Sequence, residues 1–189
     1  MRCFVALVPA EALVESVSGW AKAAVAPLES VRPLEQGSLH VTLAFLGELD
    51  DHGVGAAGEI VASVEPRAVR MRLESGAVAV PRRRPRVLAL DEAQGEVASL
   101  QAEVSEALTG AGVLESEGRP FWSHLSFARV KRGALDGKRG SAAIEALPPL
   151  SDAALEPHAA SRLVLYRSEL GPRHATYTAL AEAPLPGDA

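Results

Sequence analysis

Apolar positions along the chain switch between a helical period and runs of the kind found in strands. Residues 2–8 are nearly all apolar, as in a strand covered on both faces, and Pro9 ends the run. Across residues 10–26, Leu13, Val14, Val17, Trp20, Ala21, Ala24 and Val25 recur at helical spacing until Pro27 stops them. A loop with Pro33 and Gly37 leads into LHVTLAFLG (residues 39–47), a strand closed by Gly47. Asp50 or Asp51 is placed to cap a helix over residues 54–64. Residues 69–73 and 77–80 read as one strand broken near Glu74, Ser75 and Gly76 by a bulge or turn. After the basic loop PRRRPR come a short buried strand (86–90), a helix (95–111) ended by glycines, and a second strand around SHLSFAR (121–128). Residues 131–140, basic and glycine-rich, read as an exposed loop before a weak helix near 141–147. Strands at 162–166 and 176–180, joined through Gly171-Pro172, complete the chain, with a frayed tail beyond Pro184.

The order strand, helix, SHLSFAR-like strand, helix therefore occurs twice. This predicts an α+β fold of two similar lobes, with mainly antiparallel sheets flanked by helices. The lobes would face each other across a central cleft with pseudo-two-fold symmetry, as one bilobal domain spanning residues 1–189. Composition fits: 189 residues can bury a sizeable core, and 48% apolar and 23% charged residues favour neither a disordered nor a membrane chain. No apolar run reaches the roughly 20 residues needed to span a bilayer, and Glu11 and Glu15 argue against a signal peptide, so a cytoplasmic location is expected. Cys3 stands alone, which excludes an internal disulfide and a cysteine metal site. The net charge of −5 argues against general binding of long nucleic acid but leaves room for a local basic site.

The chemistry lies in the duplicated strand. His40 is followed by Thr42, and His124 by Ser126. Alternation sends each pair to one face, so two adjacent strands would gather two imidazoles and two hydroxyls in one cleft. Imidazole titrates near neutrality, so one ring can accept a proton while the other donates one, as hydrolysis of a phosphodiester requires. Thr42 and Ser126 can donate to non-bridging phosphate oxygens, and Arg129 is the nearest arginine able to clamp them. In PRRRPR, beside the cleft, Arg84 and Arg86 are candidates for binding a phosphate substrate. There is no nucleophile elbow, zinc motif or phosphate-cradling glycine loop, so no metal and no cofactor are expected. His52, His158 and His174 read as surface residues, and Phe121 and Trp122 as core.

The ordered set RCFVALVP, LHVTLAFLGEL, RPRVLAL, RPFWSHLSFAR and LVLYRSELGPRHATYTAL resembles the two-histidine (2H) phosphoesterase superfamily over nearly the whole chain. Within it, the chain is similar to the RNA 2′,3′-cyclic phosphodiesterases, also named 2′-5′ RNA ligases. The resemblance implies metal-independent hydrolysis of a terminal RNA 2′,3′-cyclic phosphate to a 2′-phosphate, with RNA 3′ ends as the partner; a monomer is expected. It implies that His40 is the general acid and His124 the general base. Thr42, Ser126 and Arg129 would hold the phosphate, and Phe45 would stack on the terminal base. Strict alternation, however, sets Phe45 and Arg129, each five residues after its histidine, on the face opposite the histidines. These roles thus require each strand to bulge beyond Thr42 and Ser126. Alternatives that keep the cleft are hydrolysis of small cyclic nucleotides such as ADP-ribose 1″,2″-cyclic phosphate, reversible 2′-5′ joining of RNA, and a non-catalytic RNA-end or nucleotide-binding module.

Overall fold

The computed structural model describes all residues except 94, 116, 117, 119, 172–174 and 188–189. Its first half runs β1 (Arg2–Pro9), α1 (Glu11–Val25), β2 (Val31–Pro33), β3 (Val41–Glu48) and α2 (Asp51–Ala62). Then follow β4 (Arg70–Met71), β5 (Leu73–Val80), β6 (Val87–Glu92), α3 (Gly95–Gly110), β7 (His124–Val130) and α4 (Gly137–Glu145). A short α5 (Asp152–Leu155) precedes the closing strands β8 (His158–Leu170) and β9 (Ala175–Pro184). Among the described residues no helix is long and apolar enough to cross a membrane.

Nine strands form one antiparallel sheet whose main path is β4-β8-β1-β3-β7-β6-β5, with β2 added to β7 and β9 to β8. The two expected lobes are the two halves of this sheet. In each half the histidine strand pairs with the strand that opens its repeat: β3 with β1, β7 with β6. The histidine strands then meet at the centre. Helices bury one face. Val41, Leu43 and Leu46 of β3, Leu125 and Phe127 of β7, and Leu88 and Leu90 of β6 share a core with the apolar stripes Leu13, Val14 and Val17 of α1 and Val97, Leu100 and Val104 of α3. The Trp20 ring meets the edge of Phe127 at 4.8 Å, while its indole N–H donates to the Pro148 carbonyl at 3.0 Å. Cys3 sits buried in this core, and burial pushes its thiol pKa up, consistent with a small hydrophobe rather than a nucleophile.

Several elements differ from the sequence expectation for local reasons. Asp50 is the cap of α2, its carboxylate accepting from the Gly53 amide at 2.8 Å, so the helix begins three residues earlier than the apolar stripe indicates. The break expected near Glu74–Gly76 is a register shift between Leu73 and Ala77 against β6. His158 starts β8 rather than lying in a loop, paired with Met71 and donating from Nε2 to the Ala153 carbonyl at 2.9 Å. Leu185 is buried and its amide bonds the Ser161 carbonyl, so the chain stays packed past Pro184. His174 and Pro172 fall outside the described residues.

The clearest correction is α4. Its glycines suggest a loop, yet Gly137, at φ 75°, makes the left-handed turn that opens the helix. Gly140 is buried against the Leu135 backbone, where a Cβ would overlap the Leu135 carbonyl. Glycine here serves close approach, not flexibility. Gly140→Ala should therefore cost about 1–3 kcal/mol, the range for overpacking a filled site, although alanine is the better helix former. Urea titration showing equal or higher stability would contradict this placement.

Candidate active site

The junction of the two halves is one ladder pair, Val41 opposite Leu125. Both side chains are fully buried on the helix side, so their neighbours project from the open face. Counting one residue outward along antiparallel strands sets Thr42 beside His124 and His40 beside Ser126. Each imidazole thus stands next to the hydroxyl of the opposite half, related by a pseudo-two-fold axis through the central pair.

Both histidine strands then bulge at the same place. Consecutive residues Val5 and Ala6 of β1 pair with Ala44 and Thr42, skipping Leu43. Consecutive residues Leu88 and Ala89 of β6 pair with Ala128 and Ser126, skipping Phe127. The extra residue reverses the alternation, so Leu43 and Ala44 are both buried, as are Phe127 and Ala128. Phe45, 62% exposed, and Arg129 consequently emerge on the histidine face. The pairings agree: Phe4 and Ala6 share a face of β1 and oppose Phe45 and Thr42, while Val87, Ala89 and Asp91 share a face of β6 and oppose Arg129, Ser126 and His124. The condition imposed by strict alternation is met in both strands.

The two imidazoles sit in unlike surroundings. His40 is half-buried in an aromatic box, its ring 5.0 Å from Phe4, 5.4 Å from Tyr177 and 6.2 Å from Tyr166. Burial lowers its pKa to about 4; a hydrogen bond to the Ser38 backbone pushes the other way, and repulsion from His124 and Arg129 adds to the lowering. His124 stacks on the half-exposed Trp122 ring at 4.0 Å and 14°. Its Nδ1 lies 2.9 Å from the Trp122 carbonyl, which can only accept, so Nδ1 carries the proton and Nε2 is left free to take one. Each histidine therefore bonds the backbone two residues before it.

Two consecutive carboxylates hold the approach to His124. Asp91 accepts from the Trp122 indole N–H at 2.7 Å, and Glu92 accepts from the Ser123 hydroxyl at 2.7 Å. Arg32 of β2 lies directly opposite Arg129. Like charges opposed across strands repel, and neither arginine joins an ion pair among the described residues, which suits the pair to an anion. Arg84 and Arg86 are exposed at the β5–β6 turn; alternation from Val87 puts Arg86 on the face opposite Arg129. Phe4, Tyr166, Tyr177 and Arg32 escaped the sequence reading. Only the tyrosines carried a signal, as aromatic residues spaced along the closing hairpin. Trp122, read as core, belongs to the site.

Among the described residues no three His, Cys, Asp or Glu side chains are grouped as a metal site would need. What the face presents is a pair of imidazoles, a pair of hydroxyls and a pair of arginines, a set suited to a phosphate ester.

Comparison with known proteins agrees. A model of the LigT-like phosphoesterases matches residues 8–89, which include the first histidine strand. The RNA 2′,3′-cyclic phosphodiesterase of Archaeoglobus fulgidus is 31% identical over 134 residues, covering 70% of this chain and 74% of that protein. A protein of the same name from Aeropyrum pernix is 33% identical over 104 residues, a stretch spanning 53% of this chain and 58% of that relative. The crystal structure of TT0787 of Thermus thermophilus superposes over 100% of both chains with a TM-score of 0.76 at 25% identity. E. coli LigT complexed with 3′-AMP shares the fold at a TM-score of 0.74 over 97% of each chain, at 23% identity. The chain belongs to the LigT-like phosphoesterase family.

The His40 environment carries a stability signature. Its folded pKa of about 4 lies below the ordinary 6.5, so the unfolded chain binds a proton that the folded chain refuses over that window. Stability contributed here is full above about pH 6.5 and declines as pH falls towards 4. Denaturant titrations across this range should show a smaller acid loss in His40→Gln than in the wild type; parallel curves would refute a neutral His40 held in the aromatic box.

Proposed function

We propose that this protein hydrolyses the 2′,3′-cyclic phosphate at RNA 3′ ends to a 2′-phosphate by paired-histidine acid–base catalysis without a metal. The observation that carries the reading is the Val41–Leu125 junction, which presents His40 and His124 from opposite sides of one shared face. A cyclic phosphate over the junction meets the Thr42 and Ser126 hydroxyls at its non-bridging oxygens, with Arg129 and Arg32 facing the same charge. His124 Nε2 takes a proton from water as the water oxygen attacks phosphorus, the Trp122 carbonyl holding the ring in the accepting tautomer. The P–O3′ bond breaks opposite the incoming water, and His40 delivers a proton to the 3′-oxygen. The 2′-O–P bond survives, and Phe45 stacks on the terminal base. His40, neutral in the empty site at physiological pH, is charged by the bound phosphate anion, which opposes the burial that lowers its pKa.

His40→Ala and His124→Ala should each lower kcat on a cyclic-phosphate-ended oligoribonucleotide by about 10²–10⁴-fold, with the fold intact by circular dichroism and wild-type activity resistant to chelator. A nitrophenyl phosphodiester, whose leaving group needs no proton, separates the two roles. On it His40→Ala should recover most of its activity while His124→Ala stays impaired. Near-normal turnover by either variant on the RNA substrate would sink the proposal, and the reverse pattern on the nitrophenyl ester would exchange the roles.

A further inference from the structure

We infer that the site continues as a track for the RNA strand, leading from His124 past Trp122 to a cationic cavity built by the β5–β6 turn and the start of α4. The inference rests on the cyclic phosphodiesterase reading and narrows its substrate to polynucleotide ends rather than cyclic mononucleotides. The histidine face extends beyond β7 along the registers Ser126–Ala89–Val78 and Arg129–Val87–Val80. All four residues on β6 and β5 are small and apolar; Ala89 is fully buried, and Val78, Val80 and Val87 are part-exposed, so they form a low floor two strand spacings wide, about 10 Å. Trp122 and Asp91 wall it on the side of His124, enclosing with Val78, Val80 and Arg82 a cavity of about 340 Å3. Arg82 also lines a second cavity, of about 600 Å3, together with Arg83, Lys138, Gly137 and Ser141. Arg82 lines both, at the β5–β6 turn where the histidine face meets the side covered by α4.

The second cavity has the chemistry of a phosphodiester site. Three cations face a single lining carboxylate, Glu145. The first turn of α4 opens there, and Asp136 at its N-cap makes no side-chain bond to the helix amides. Gly137 and Gly140 let that turn close tightly on Leu135. The chain's net charge of −5 makes such a local concentration of positive charge selective for position rather than a general affinity for polyanions. A 3′-terminal nucleotide with its cyclic phosphate on the histidines would thus send its upstream backbone over the Val78–Val80 floor, with the next phosphates at Arg82, Arg83 and Lys138.

The test compares a cyclic-phosphate-ended oligoribonucleotide with the cyclic mononucleotide of the same terminal base, in wild type, Arg82→Ala/Arg83→Ala and Lys138→Ala. Wild type should favour the oligonucleotide in kcat/KM. The double variant should raise its KM about tenfold or more with kcat unchanged, and flatten the salt dependence of log kcat/KM by about 1.4, from roughly 0.7 per lost phosphate contact to a single strand. Lys138→Ala should raise KM in the same direction. Mononucleotide kinetics serve as the reference within each variant. No wild-type preference for the oligonucleotide, no change in its KM, or an equal loss on both substrates would overturn the track. None of these results touches the catalytic reading, which fails only if the histidine variants remain active.

Discussion

Everything at the active face depends on how little backbone β3 and β7 share. A full ladder between them would commit the strands to strict alternation. The pairing instead is confined to Val41 and Leu125, and both strands bulge directly beyond the hydroxyl residue. The bulge changes the third side chain on that face: in place of Ala44 or Ala128, the motif presents histidine, hydroxyl, and then Phe45 in one half or Arg129 in the other. The buried pairs Leu43-Ala44 and Phe127-Ala128 hold the bulges in place, because moving either register by one residue would drag apolar side chains from the core to the open face.

Within this symmetric frame the two halves have diverged. Phe4, Tyr166 and Tyr177 surround His40, and the cost of charging a ring in that box is what depresses its pKa. His124 has an open position, one face on Trp122 and one nitrogen fixed by a carbonyl. Similarly, the position five residues on carries an apolar ring on the aromatic side and a guanidinium on the other. The face therefore runs from aromatic to cationic across the junction. A nucleotide has the same polarity, base at one end and phosphates at the other.

The sequence carried the element order, the antiparallel halves and the candidate pairs, because hydrophobic period and a repeated His-x-hydroxyl pattern are local signals. The bulges were legible only as a requirement. Two consecutive apolar residues after Thr42 and Ser126 are compatible with a bulge but equally with an ordinary doubly covered strand. Other parts were hidden because they arise between distant segments. Arg32 meets Arg129 through a three-residue strand too short to register as a pattern, and Tyr166 and Tyr177 reach His40 from the last hairpin. Glycine in α4 misled outright, since close packing and flexibility use the same residue.

The most direct measurement is a crystal structure with a non-hydrolysable analogue of a 2′,3′-cyclic phosphate bound. The account predicts phosphorus above the Val41–Leu125 pair, with the nearer ring nitrogens of His40 and His124 on opposite sides of it, Thr42 and Ser126 on its non-bridging oxygens, and Phe45 against the base. An analogue held elsewhere, or one approached by a single imidazole, would contradict the central claim that the paired bulges build one phosphate site from two halves.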